Sequence, residues 1–85
     1  MRKSVDRNKI KLLGKRIAYM RKSKKLSQEE LSDKAELTLS QIARIETGVI
    51  NTSVNTLFIL ADALEIRVSE FFEETDYTLK PNPEI

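Results

Sequence analysis

Residues 26–48, LSQEELSDKAELTLSQIARIETG, constrain the fold more than any other stretch, because they contain two complete helix starts only eleven residues apart. Ser27 followed by Glu30 spells a capping box, in which the hydroxyl takes an orphan amide of the first turn and the glutamate reaches back to the cap's own N–H. Leu26 before the cap and Leu31 after it form the matching hydrophobic staple. The pattern repeats with Thr38 and Gln41 as the second box and Leu37 and Ile42 as the second staple. A helix starting after Thr38 forces the first to end by about Ala35, so only Glu36 and Leu37 are left to turn the chain. Gly48 stands where the second helix should stop, at a position that favours a left-handed backbone.

That is the short helix–helix connection the DNA-reading helix-turn-helix requires, and the stretch reads as one. Leu31 and Ala35, then Ile42 and Ile45, are spaced to share the inward faces. Leu39, Ser40, Ala43, Arg44 and Thr47 then point outward. That outward face holds small side chains, one arginine and no acid, whereas an ordinary solvated helix carries more glutamate and lysine. Small residues allow close approach to a groove wall, and an arginine can reach past them to pair with two acceptors of guanine.

The remainder of the chain supports a binding domain rather than a catalyst. Its 85 residues fit one domain with a modest core, and the absence of cysteine and histidine removes thiolate nucleophiles, imidazole acid–base chemistry, disulfides and most zinc sites. No enzyme activity, cofactor or metal is therefore expected. No apolar run approaches the roughly 18 residues of a membrane span, and the basic start lacks the apolar segment of a signal peptide, so a cytoplasmic location is expected. The net charge of +2 conceals a strong asymmetry. Residues 1–25 carry eleven Lys/Arg against one acid, and residues 26–85 carry four against twelve. A basic segment beside a recognition helix points to a nucleic acid as the polyanionic partner.

In chain order, residues 1–8 read as a basic arm with Arg2, Lys3 and Arg7, residues 9–73 as the folded domain, and residues 74–85 as an acidic tail containing Pro81 and Pro83. A first helix is expected from a cap at Asn8 to about Ser23, with Ile10, Leu13, Ile17 and Met20 as one apolar stripe and the other faces basic. Gly14 inside it costs about 1 kcal/mol relative to alanine, which is explained if another helix passes close by. Ser53 caps a fourth helix with Val54, Leu57, Leu60, Ala61 and Leu64 on one face. Phe58 and Ile59 extend that apolar surface, either to complete the core or to meet a partner. A fifth helix over residues 68–73 buries Val68, Phe71 or Phe72. Together with Tyr77 and Leu79 in the tail, these elements offer a dimer surface, for which Phe58, Ile59, Phe72 and Tyr77 are the candidates.

Over residues 13–72 the segments LGKRIAYMRKSKKLSQEEL, LTLSQIARIETG and NTLFILADALEI resemble the XRE, or lambda-repressor-like, family. The most specific part is Arg21, then Ser27 and Gln28, then Ile42, Ile45, Glu46 and Gly48 in that order and spacing. The resemblance implies an all-α, compact five-helix domain whose recognition helix, Leu39–Thr47, enters the major groove of double-stranded DNA while the helix before it crosses the backbone. It further implies that Gln28 holds a phosphate, that Thr38, Leu39, Ser40, Gln41 and Arg44 occupy base or phosphate positions, and that Arg21 pairs with Glu46 to brace the motif. Lys15, Lys22, Lys24, Lys25, Thr47, Asn51 and Thr52 are candidate backbone contacts, and Arg2, Lys3 and Arg7 can reach phosphates or a minor groove. Three positions depart from the family pattern: Glu36 and Glu65 stand where glycine is common, which implies strain if the backbone there is left-handed, and Arg67 replaces the usual small cap before the last helix. The expected function is a transcriptional regulator acting as a homodimer on a two-fold operator. Two alternatives remain open: an antitoxin that also binds a toxin through its acidic C-terminal region or the Phe58/Ile59 face, and a protein-interaction module that no longer binds DNA.

Overall fold

The computed structural model describes residues 7–73 as four α-helices, α1 (Arg7–Ser23), α2 (Gln28–Ala35), α3 (Leu39–Thr47) and α4 (Val54–Leu64), followed by a 3-10 segment, Val68–Phe72. Among the described residues there is no strand. The arm residues Arg2 and Lys3, and the tail with Tyr77 and Leu79, lie outside the described residues.

Both capping boxes form. Ser27 Oγ accepts from the Glu30 amide at 2.9 Å while the Ser27 amide donates to Glu30 Oε1 at 2.8 Å. At α3, Thr38 Oγ1 accepts from the Gln41 amide at 3.0 Å and the Thr38 amide donates to Gln41 Oε1 at 2.9 Å. Ser53 caps α4 through the Thr56 amide at 3.1 Å. The helix ends are equally uniform, since all four α-helices close on a left-handed residue: Lys25 (φ 62°), Glu36 (φ 58°), Gly48 (φ 75°) and Glu65 (φ 60°). In each case the left-handed residue and its apolar successor donate backward to two carbonyls, as in Val49 to Arg44 at 3.1 Å and Gly48 to Ile45 at 3.1 Å, the Schellman arrangement. Three of these positions carry a side chain, so the backbone strain expected at Glu36 and Glu65 is present, and Lys25 shares it.

The core gathers Ile17 and Met20 of α1, Leu31 and Ala35 of α2, Ile42 and Ile45 of α3, four residues of α4 and Phe71. Leu26 and Leu37, the staple residues, pack against it from the turns.

Several expectations need correction. Asn8 is not a cap: α1 already includes Arg7, and the first amides of an exposed helix end can be satisfied by water. Arg7 therefore belongs to the first helix rather than to a separate arm. Val54 does not join the α4 stripe but is 66% exposed, because only Leu57, Leu60, Ala61 and Leu64 turn inward. Phe58 is 51% exposed and does not complete the core, while Ile59 is half-buried against it. The fifth element is a 3-10 segment rather than an α-helix. Arg67 has no short oxygen to cap it, and only Glu70 reaches back to the Arg67 amide, at 3.2 Å. Phe71 anchors this segment at 2% exposure, whereas Phe72 is turned out at 63%.

Candidate nucleic-acid interface

The outward face of α3 emerges from how its inward face is held. Ile42 and Ile45 are buried, which turns Leu39, Ser40, Arg44 and Thr47 to solvent and leaves Ala43 half-buried between them. Leu39 is 47% exposed, a large apolar side chain left uncovered at the first position of the helix. No acid lies on this face, because the one acid of α3, Glu46, is turned inward.

Glu46 is the hub of a buried polar cluster joining three helices. Arg21 of α1 donates from Nε to Glu46 Oε2 at 2.7 Å and from a terminal nitrogen to Oε1 at 3.0 Å. The other terminal nitrogen donates to the Leu26 carbonyl at 2.7 Å, which ties the α1–α2 turn to the same guanidinium. Gln28 of α2 adds a bond from Nε2 to Glu46 Oε1 at 2.9 Å. Bidentate geometry fixes orientation as well as distance, so the carboxylate fixes the end of α3 relative to α1 and α2. Gln28, which the resemblance places on a phosphate, is half-buried and spends one of its two amide hydrogens on Glu46.

A second set of contacts sets the approach of α1 to α3. A Cβ placed on Gly14 would lie 2.5 Å from the Ile45 carbonyl oxygen and 2.6 Å from that of Glu46. One on Gly48 would lie 2.8 Å from the Lys11 Cα. The only two glycines of the chain thus sit at one crossing, where backbone meets backbone.

The remaining site residues divide by what their hydrogen-bonding groups already do. Thr38 and Gln41 use acceptor oxygens in the capping box, which leaves their O–H and N–H hydrogens able to donate outward. Thr47 is exposed, but its hydroxyl donates to the Ala43 carbonyl at 3.0 Å, so its proton is used inside the helix. Asn51 is exposed on the α3–α4 loop and Thr52 half-buried beside it. Lys25 is exposed at the α1–α2 turn, and Lys24 lines an open pocket of about 230 Å³ with Leu26, Lys34, Ala63, Leu64 and Glu65, near the end of α4.

Arg16 lies off the apolar stripe of Ile10, Leu13, Ile17 and Met20, on a part of α1 expected to be basic surface, yet it is buried at 5% exposure. Its Nε donates to the Glu70 carbonyl at 2.8 Å, a terminal nitrogen lies 3.8 Å from Glu73 Oε1, and the guanidinium stands 5.7 Å from the centre of the Tyr19 ring. This fastens the 3-10 segment to α1. Its partner lies 54 residues away, so no local spacing could have revealed it.

Comparison with known proteins gives a consistent picture. The family described as Helix-turn-helix matches residues 17–71. The immunity repressor protein of Bacillus phage phi105 is 44% identical over 62 residues, covering 73% of this chain and 43% of the repressor. An uncharacterized HTH-type transcriptional regulator of Rickettsia conorii is 32% identical over 71 residues, covering 84% of this chain and 57% of that protein. The chain spans about half the length of these two relatives. Among solved structures, the restriction-modification controller protein C.AhdI from Aeromonas hydrophila matches with a TM-score of 0.74 and 34% identity, over 75% of this chain and 97% of that one.

Proposed function

The chain belongs to the XRE-type helix-turn-helix family of DNA-binding transcriptional regulators, and from that premise we propose that it is a cytoplasmic, sequence-specific repressor that binds a two-fold operator as a homodimer. The observation that carries this reading is the face of α3: Leu39, Ser40 and Arg44 stand exposed on a helix whose orientation is fixed by the buried Arg21–Glu46 pair. In this reading α3 lies in the major groove, Arg44 reaches a base edge, and Leu39 makes the apolar contact that a thymine methyl accepts. Thr38 and Gln41 donate to phosphates or bases near the helix start, and Lys24, Lys25 and Asn51 supply further backbone contacts.

One α3 touches few base pairs, and a two-fold axis doubles them, with half-sites spaced about 10 bp apart. The exposed apolar side chains Phe58 and Phe72, with half-buried Ile59, are the proposed subunit contact. Repression as the mode of action follows the phage relative, which is an immunity repressor protein.

Selection of sites from random duplex DNA, followed by sizing of the complex, tests the whole reading. On a selected site, Arg44→Ala is expected to lose about 1–3 kcal/mol and to flatten discrimination at one base position. An equal loss on every sequence would reduce Arg44 to a phosphate contact, and failure to enrich any sequence would refute specific binding.

A further inference from the structure

Helix α1 carries seven basic residues and no acid. Two of the seven, Arg16 and Arg21, are buried and occupied by the pairs described above. The five exposed cations are not scattered. At about 100° per residue, Arg7, Lys11, Lys15 and Lys22 fall within about 80° of one another, in a stripe about 22 Å long, with Lys9 on the opposite side. Along this stripe the intervening position is Ala18, which is half-buried.

The stripe adjoins the side of α1 that meets α3. Gly14 and Arg21, which touch Ile45 and Glu46, lie immediately beside it around the helix, and Lys11 itself rests on Gly48 just past the end of α3. Beyond Lys11, Arg7 joins Asn51 in lining an open cleft of about 110 Å³ with Ile10, Gly48, Val49 and Ile50. The stripe therefore runs from the α3–α4 loop back along α1. Among the described residues none of Arg7, Lys11, Lys15 and Lys22 has a carboxylate partner. Arg7 with Lys11, and Lys11 with Lys15, are like charges four residues apart, a spacing that destabilises an isolated helix by a few tenths of a kcal/mol per pair. A polyanion laid along the stripe reverses the sign of that effect.

We infer that the Arg7, Lys11, Lys15 and Lys22 stripe of α1, continued by Asn51, is a second track for the DNA sugar–phosphate backbone, outside the helix-turn-helix and adjacent to the end of α3. The inference rests on the DNA-binding reading and deepens it: the motif reads the groove, and α1 grips the strand beyond it. Such a track adds affinity on every sequence and discrimination on none.

The test is a salt titration of full-length protein on two duplexes, one recovered by selection and one of random sequence. The double variant Lys11→Gln, Lys15→Gln keeps the Cβ and Cγ of the Lys11 stem that rest on Gly48 while removing both charges. The slope of log K against log salt is expected to fall by about 1.8, with equal fractional loss on both duplexes. Lys34→Gln, on α2 and off the stripe, is expected to leave the slope unchanged. The double variant should melt no lower than the parent, which separates charge loss from misfolding. A parental slope retained in the double variant overturns the inference and leaves the DNA reading intact. A parent that binds neither duplex overturns both.

Discussion

Substitution of Gly14 by alanine sets two physical effects against each other. In a helix interior the exchange favours alanine by about 1 kcal/mol, so local propensity predicts a more stable protein. The packing predicts the reverse. The new Cβ would lie 2.5 Å from the Ile45 carbonyl oxygen, 2.6 Å from the Glu46 oxygen and 2.9 Å from the Glu46 carbonyl carbon. Carbon–oxygen contacts settle at about 3.3–3.6 Å, so α1 and α3 must separate by nearly an ångström at their closest point. All three obstructing atoms are backbone, and no rotamer change relieves them. Overpacking of this kind costs about 1–3 kcal/mol, and a rigid double clash belongs in the upper half of that range. After the propensity gain is subtracted, a net loss of about 1–2 kcal/mol is expected, or about 4–8 °C in Tm for each kcal/mol. Urea and thermal unfolding followed by far-ultraviolet circular dichroism measure it directly. DNA affinity should fall further than stability requires, since the same displacement moves α3. A Gly14→Ala protein as stable as the parent, or more stable, would refute the close crossing.

The other predictions concern the buried hub and the helix ends. Glu46→Ala leaves the Arg21 guanidinium buried without its carboxylate and is expected to cost about 3–5 kcal/mol in urea unfolding, as removal of one partner of a buried pair does; a loss below about 1 kcal/mol would show that the pair does not clamp the motif. Glu36→Gly and Glu65→Gly each relieve a left-handed residue costing about 1–2 kcal/mol, less about 0.4–1 kcal/mol for the freer unfolded chain. Each should raise stability by about 0.5–1 kcal/mol, and the two gains should add; a lower melting temperature in either would contradict the strain assigned there.

What the sequence disclosed follows the range of the interaction. Both capping boxes, the two-residue turn and the Gly48 stop are contacts within a few residues, and each was readable at Ser27, Thr38 and Gly48. The buried faces of α2 and α3 were equally readable, because 3.6-residue periodicity dictates them. Errors arose where a distant partner decides. Arg16 looks like any basic surface residue until the 3-10 segment arrives to take its guanidinium. Val54 fits the α4 stripe by spacing, yet among the described residues it stays exposed. The Gln28–Glu46 bond, which spans 18 residues, is also invisible to local pattern, and it adds to the phosphate role expected of Gln28 without replacing it. Left-handed Glu36 and Glu65 were anticipated only as a conflict between residue type and position, and the backbone resolves it by tolerating the strain.

The dependence of α3 on its surroundings bears on how such a site can change its target. Nine residues make a helix about 13.5 Å long, and isolated helices below about 12–15 residues are marginal in water. Helix α3 therefore owes its persistence to Ile42 and Ile45 in the core, to the Glu46 clamp and to the Gly14 crossing, all of them on its inward side. Leu39, Ser40 and Arg44 contribute little to that support, being exposed and apart from every buried network. On the proposed reading, stability and base recognition are thus carried by opposite faces of one short helix. Exchanges at Leu39, Ser40 and Arg44 should alter the preferred base sequence while leaving the unfolding free energy within about 0.5 kcal/mol of the parent, the usual range for surface substitutions.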